Sequence, residues 1–118
     1  MNSDEVFLKH ILDEINFLLR ETKDIDFKGF SENELLKRAC TRSLEIMGEA
    51  AKNLSGEFKK KYKDIDWKKI AGMRDKIIHY YFGVNWDIVW AVVQDKIPEL
   101  KEKIEIILRI EDKEARKL

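Results

Sequence analysis

The chain has 118 residues, of which 44% are hydrophobic and 10% aromatic, enough apolar surface for one continuous core and too much for a disordered polymer. Lys plus Arg and Asp plus Glu number 23 each, so the formal charge is zero and exerts no whole-protein pull on nucleic acid. A single cysteine, Cys40, excludes an intramolecular disulfide and a thiolate-built zinc site, and no apolar run approaches the roughly 18 residues that a membrane-crossing helix needs.

The start, Asn2-Ser3-Asp4-Glu5, lacks the basic-then-apolar pattern of a signal peptide, so the expected address is the cytoplasm. One domain is expected over residues 1–118, without repeats or linkers. The first helix is predicted from Ser3 as N-cap, with Asp4 and Glu5 in the dipole-favoured first turn. Phe7, Ile11, Ile15, Leu18 and Leu19 recur on it at helical spacing. Residues 24–30 read as a loop around Gly29. The second helix is predicted to open with Ser31 and Glu34 as a capping box, to bury Leu35, Leu36, Ala39, Ile46, Met47, Ala50 and Leu54, and to end at Gly56. Small residues on it (Ala39, Ser43, Ala50, Ala51) allow a neighbouring helix to come close. Residues 57–63 form a short amphipathic turn with Phe58 and Tyr62 inward.

Asp66 is expected to cap a helix running from Trp67 through Ile70, Met73, Ile77, Ile78 and Tyr81 to Gly83. Asn85 is expected to cap another that carries Trp86, Val89, Trp90 and Val93. Pro98 suits the first turn of a following helix or a kink, and Ile104, Ile107 and Leu108 continue the apolar stripe. No alternating strand pattern competes. The expected fold is all-α, an up-and-down bundle of about four long helices plus short ones.

Charge is not evenly spread. Residues 52–82 hold nine basic and four acidic side chains, a local charge of +5 balanced by −5 elsewhere. Such a segment either attracts a polyanion or forms a solvated lysine face. Within it lie Arg74, His79 and Tyr81. Arg is permanently cationic and grips phosphate through parallel N–H donors. His exchanges protons near neutral pH, and a Tyr hydroxyl orients, donates or accepts a covalent group. Together they offer what metal-free RNA cleavage needs: activation of a 2′-OH, stabilisation of the pentacoordinate phosphate, and protonation of the leaving 5′-oxygen.

At about 100° per residue, Tyr81 falls about 20° from Arg74, whereas His79 falls about 140° away. His79 instead lies about 40° from Asp75, a carboxylate placed to orient its ring or raise its pKa. One regular helix therefore cannot bring Arg74 and His79 onto one phosphate. Either the helix distorts near His79 or a second chain supplies the missing group across a two-fold axis. A bland reading of the same residues is a surface Arg, a structural His, and Tyr80, Tyr81 and Phe82 as core or dimer-contact aromatics. His10 reads as a helix-face histidine and Cys40 as a small core residue. Glu45 and Glu49, four apart without a histidine at ligand spacing, read as surface or helix-packing residues rather than metal ligands. No Gly-rich phosphate loop, Ser/His/Asp order or paired-His set appears, so neither cofactor nor metal is expected.

The stretch RDKIIHYYFGVNWDIVW, preceded by WKKIAGM and further back by RSLEIMGEAAKNLS, resembles the HepT branch of the HEPN superfamily, whose hallmark is Arg, four to six residues, His, any residue, Tyr. The flanking matches cover roughly residues 38–100. The resemblance implies a helical bundle dimerising with its two motifs face to face across a cleft. It also implies metal-independent RNA cleavage, with Arg74 and His79 catalytic and the polar Asp75 and Tyr81 supporting them. It further implies a small nucleotidyltransferase antitoxin of the MntA type, which adenylylates the motif tyrosine, here Tyr81. Tyr80 departs from the family pattern, which often has an acidic residue between His and Tyr. On this reading Lys59, Lys60, Lys61, Lys63, Lys68 and Lys69 guide the RNA backbone. Two readings stand against it: a non-enzymatic nucleotide- or protein-binding partner of a nucleotidyltransferase, and a plain homodimeric scaffold.

Overall fold

Asn2, not Ser3, caps the first helix: its side-chain oxygen accepts from the Glu5 N–H at 2.8 Å, and α1 runs Ser3–Glu21. The computed structural model describes residues 2–79 and 83–117, and for residues 77–79 the backbone alone. After α1 come α2 (Phe27–Ser31), α3 (Glu34–Lys52), α4 (Gly56–Lys61), α5 (Trp67–His79), α6 (Trp86–Ala91) and α7 (Ile97–Arg116). Among the described residues there is no strand, and no helix is long and apolar enough to cross a membrane. The fold is all-α, as expected.

The residues predicted as a loop at 24–30 include the first four of the five residues of α2. Asp26 caps it by accepting from the Gly29 N–H at 2.8 Å, and burial drives it: Phe30 is wholly enclosed, against the rings of Trp86 and Trp90 of α6. With Ser31 used to finish α2, where its hydroxyl donates to the Lys28 carbonyl, the capping box fails. Asn33 caps α3 instead, through the Leu36 N–H at 3.0 Å. Leu35, predicted inside, is 80% exposed. Two successive helical residues point about 100° apart, and the phase fixed by Cys40, Leu44 and Met47, all buried, selects Leu36. Gly56 does not end α3 either. Asn53 does so, and Gly56 is the first residue of α4, capped by Ser55.

Leu8, Ile11, Ile15 and Leu18 of α1 meet Cys40, Leu44, Met47 and Ala51 of α3, with Val93, Ile97, Ile104 and Ile107 closing the core from the C-terminal run. Burial raises the Cys40 thiol to about 11, in keeping with a packing role. Phe58 and Tyr62 point inward as predicted. The α6 and α7 helices are joined by a π turn at Val92–Lys96, in which the Ile97 N–H reaches back five residues to the Val92 carbonyl. Pro98 explains its position: the ring has no N–H to donate and would collide with a carbonyl four residues earlier, and widening the preceding turn relieves both faults.

Candidate functional site

The predicted motif lies on α5, and two anchors set that helix. Asp66 accepts from the Lys69 N–H at 3.0 Å, which fixes the first turn. Trp67 is buried, with its indole N–H donated to the Tyr62 carbonyl at 3.0 Å. From there α5 lies along α3, its most extensive neighbour.

The crossing comes at Gly48. A methyl group built there would lie 2.7 Å from Arg74 Cβ and 3.0 Å from the Ile70 carbonyl oxygen, closer than packed atoms come. Glycine is what lets the two backbones meet at this point. Arg74 thus leaves α5 at its tightest contact with α3, and its side chain turns to the next residue along, Glu49. Arg74 Nε lies 3.0 Å from Glu49 Oε2, and Arg74 Nη1 lies 3.3 Å from Asp75 Oδ1. The Arg74 side chain keeps 33% of its surface exposed, so the guanidinium is held but still reachable.

Arg74 also lines a cleft of about 440 Å³ with Phe7 and His10 of α1 and Arg42, Glu45, Ile46, Glu49 and Asn53 at or next to α3. Its apolar lining is Phe7, Ile46 and Ala50. Its charges come largely as pairs, since Arg42 Nη1 lies 3.4 Å from Glu45 Oε2 just as Arg74 meets Glu49. A cleft of this size with a few convergent polar groups suits a small ligand or one unit of a chain.

The predicted site residues divide as follows. Arg74 and Asp75 are together, and the partner that Asp75 shows is Arg74. The α5 backbone stays α-helical through His79, so the regular-helix geometry holds up to that residue; the side chains of Ile77, Ile78 and His79 lie outside the described residues. So do Tyr80, Tyr81 and Phe82, and with them the predicted continuation to Gly83. Lys60, Lys63 and Lys68 are exposed, and Lys59 is half-buried. Lys69 lines a second groove, of about 290 Å³, with Lys96 and Lys103. Lys61 is engaged, its Nζ lying 2.9 Å from Glu111 Oε2 and 2.6 Å from Glu114 Oε2. No group of three or more His, Cys, Asp or Glu among the described residues is placed to hold a metal ion.

Sequence reasoning did not single out Gly48, and it read Glu49 as a surface or helix-packing residue and His10 as a helix-face histidine without placing either beside Arg74. Glu49 and Gly48 sit in the quoted GEAAK segment, but no local pattern pairs that segment with Arg74. His10 reaches the cleft because α1 packs on α3, a tertiary fact.

Comparison with known proteins places the chain among ribonuclease-like relatives. Residues 11–107 match the model of a family described as "Ribonuclease HepT-like". The chain is 49% identical over 111 residues to a "Putative RNase" of Caldanaerobacter subterraneus subsp. tengcongensis, covering 94% of this chain and 99% of that one. It is 40% identical over 103 residues to a "Probable ribonuclease HepT" of Thermococcus cleftensis, covering 87% and 94%. It is also 44% identical over 109 residues to a "Gamma-glutamylcyclotransferase and putative RNase" of Methanocaldococcus jannaschii, covering 92% of this chain and 49% of that longer one. No solved structure matches the chain.

Proposed function

The chain belongs to the HepT-like ribonuclease family, and from that premise we propose that it is a metal-independent endoribonuclease, working as a homodimer and acting as the toxin of a toxin–antitoxin pair. The observation that carries the dimeric site is the unbroken helix through His79. With α5 regular, Arg74 and His79 stand about 140° apart, and one chain cannot direct both at one phosphorus. A two-fold axis beside α5 can, by setting the His79 of one protomer opposite the Arg74 of the other.

The chemistry follows from the groups. The 2′-hydroxyl loses its proton to one His79 imidazole and attacks the adjacent phosphorus. The bond to the 5′-oxygen breaks, and the same imidazole, now protonated, passes the proton to that oxygen. The products are a 2′,3′-cyclic phosphate and a 5′-hydroxyl. Arg74 binds the non-bridging oxygens and gains most where their charge is greatest, in the pentacoordinate state. Asp75 holds the end of that guanidinium. Exposed lysines of α4 and the start of α5 draw in the RNA backbone. Tyr81 positions substrate and takes the adenylyl group through which a nucleotidyltransferase of the MntA type silences the enzyme.

RNA cleavage in EDTA, by protein whose mass excludes adenylylation, tests this reading. It predicts products with cyclic phosphate ends or the 3′-phosphates formed from them. Intact RNA would favour the non-enzymatic reading, in which the same surface docks a nucleotide or the transferase itself.

A further inference from the structure

We propose that Glu49 is a positioning residue for Arg74: it fixes the guanidinium for the scissile phosphate, at the cost of weaker binding of the ground-state anion. The inference rests on the ribonuclease reading above and adds to it a residue outside the motif.

The geometry is specific. Gly48 puts the Arg74 Cβ against the backbone of α3, which leaves the arginine side chain little choice of exit. One residue on, the Glu49 carboxylate meets Nε at 3.0 Å, while Asp75 meets Nη1 at 3.3 Å. An arginine carries five N–H donors in a planar fork. The two carboxylates occupy Nε and one position on Nη1; Nη2 and the rest of Nη1 have no partner among the described residues. That unoccupied end is the pair of donors with which arginine grips a phosphate bidentately. Glu49 therefore does not compete for the phosphate-binding end. It sits at Nε, away from the Nη1–Nη2 end, and removes rotations that a long side chain would otherwise have to give up when substrate arrives.

A fixed carboxylate beside an anion site has a second consequence. It repels the bound phosphodiester, and the orientation it enforces is worth most in the transition state. Removing it should lower kcat while KM stays level or falls, a split that mere loss of folding or of binding does not produce.

The test compares Glu49→Ala, Glu49→Gln and the wild-type protein on one RNA in EDTA, with the Arg74 Nε–Hε signal followed by nitrogen-15 NMR and assigned by its loss in Arg74→Lys. Glu49→Ala should lower kcat at least about tenfold with KM unchanged or reduced, and should shift and broaden the Arg74 Hε signal. Glu49→Gln, which keeps the length and polar end of the side chain beside Nε, should recover part of both while the melting temperature stays level across the series. A wild-type kcat in Glu49→Ala, or an Arg74 Hε signal indifferent to that change, overturns the proposal alone. A wild-type protein of unmodified mass that cuts no RNA overturns the ribonuclease reading and this inference with it, and does so before any Glu49 variant is compared.

Discussion

Two clusters of charge tie distant parts of this chain together, and they are built to opposite ends. In the first, Lys61 reaches Glu111 and Glu114 of α7, and the buried Tyr62 also donates its hydroxyl to Glu111. Hydrogen bonds that it donates to Glu114 and Glu111 raise Lys61 above the usual lysine range. Burial, then the bond to Glu111, raises Tyr62 to about 12. Burial also works against ionisation of Glu111, but the bonds from Tyr62 and Lys61 outweigh it and hold that carboxyl below its ordinary value. Lys61, Tyr62, Glu111 and Glu114 all find partners inside this cluster. In the second cluster Arg74 meets Glu49 and Asp75, lines a cleft, and has no further partner among the described residues. A saturated cluster fastens helices; an unsaturated one beside a cavity is equipped to receive a ligand.

The comparison predicts that stability and activity separate, and the largest effect should fall on activity. Arg74→Ala should lower RNA cleavage by about a hundredfold or more, while changing stability by less than about 1 kcal/mol, as for other exposed ion pairs. Cleavage rates and denaturant midpoints on the same preparations measure both. Gly48→Ala sits where packing and site meet. In an ordinary helix interior this exchange stabilises by up to about 1 kcal/mol, but here the added methyl has no room against Arg74 Cβ and the Ile70 carbonyl. Overpacking should reverse the sign to a loss of about 1–3 kcal/mol, with a fall in cleavage as α5 is pushed away. A stabilised Gly48→Ala protein would show that α3 and α5 do not meet as described.

Glu111→Ala should be the mirror image of Arg74→Ala. It strips the partner from the Tyr62 hydroxyl and from Lys61, costing about 1–3 kcal/mol for the buried group left unsatisfied, with the cleavage rate unchanged. The pH dependence is subtler. The fold holds the Tyr62 proton more tightly than the unfolded chain does, so this contribution is complete below the ordinary 10.0 and is lost as pH rises toward about 12. Tyr62→Phe should flatten that alkaline limb in thermal melts. Glu111 works in the other direction: its lowered value favours folding above the ordinary carboxyl range, and the benefit disappears on acidification through the folded value. The smallest expected effect is on electrostatic guidance. Changing Lys60, Lys63 and Lys68 to Gln should weaken RNA binding evenly across sequences and reduce the salt slope by roughly 1 unit for each phosphate contact removed. Lys61→Gln should act mainly on stability, because its charge is already engaged.

How much of this was legible beforehand follows from the range of each interaction. Helical periodicity and the caps at Asp66 and Asn85 are local, and they are present where predicted. The misplaced caps at Ser3 and Ser31 arise because several of these cap-forming residues stand in a row, as in Asn2-Ser3 and Ser31-Glu32-Asn33, and tertiary packing picks one. The α2 helix was hidden because five residues carry too little periodicity to read; its cause is Phe30 meeting two tryptophans more than fifty residues on. At the site, Arg74 stood out by its chemistry and motif. Its partner Glu49 did not, since the pair exists only after α3 and α5 cross at Gly48. The same holds for His10 in the cleft.

The claim that one active centre needs two chains is the most exposed to a direct trial. Arg74→Ala and His79→Ala proteins, each inactive alone, are mixed under conditions that exchange subunits, and RNA cleavage in EDTA is measured. With Arg74 and His79 of each centre drawn from different protomers, a mixed dimer holds one intact centre, so activity should return to roughly a quarter of the wild-type rate for random exchange in a two-fold dimer. A mixture proven to exchange that stays inactive would contradict the account, because it would place both groups of each centre on a single chain.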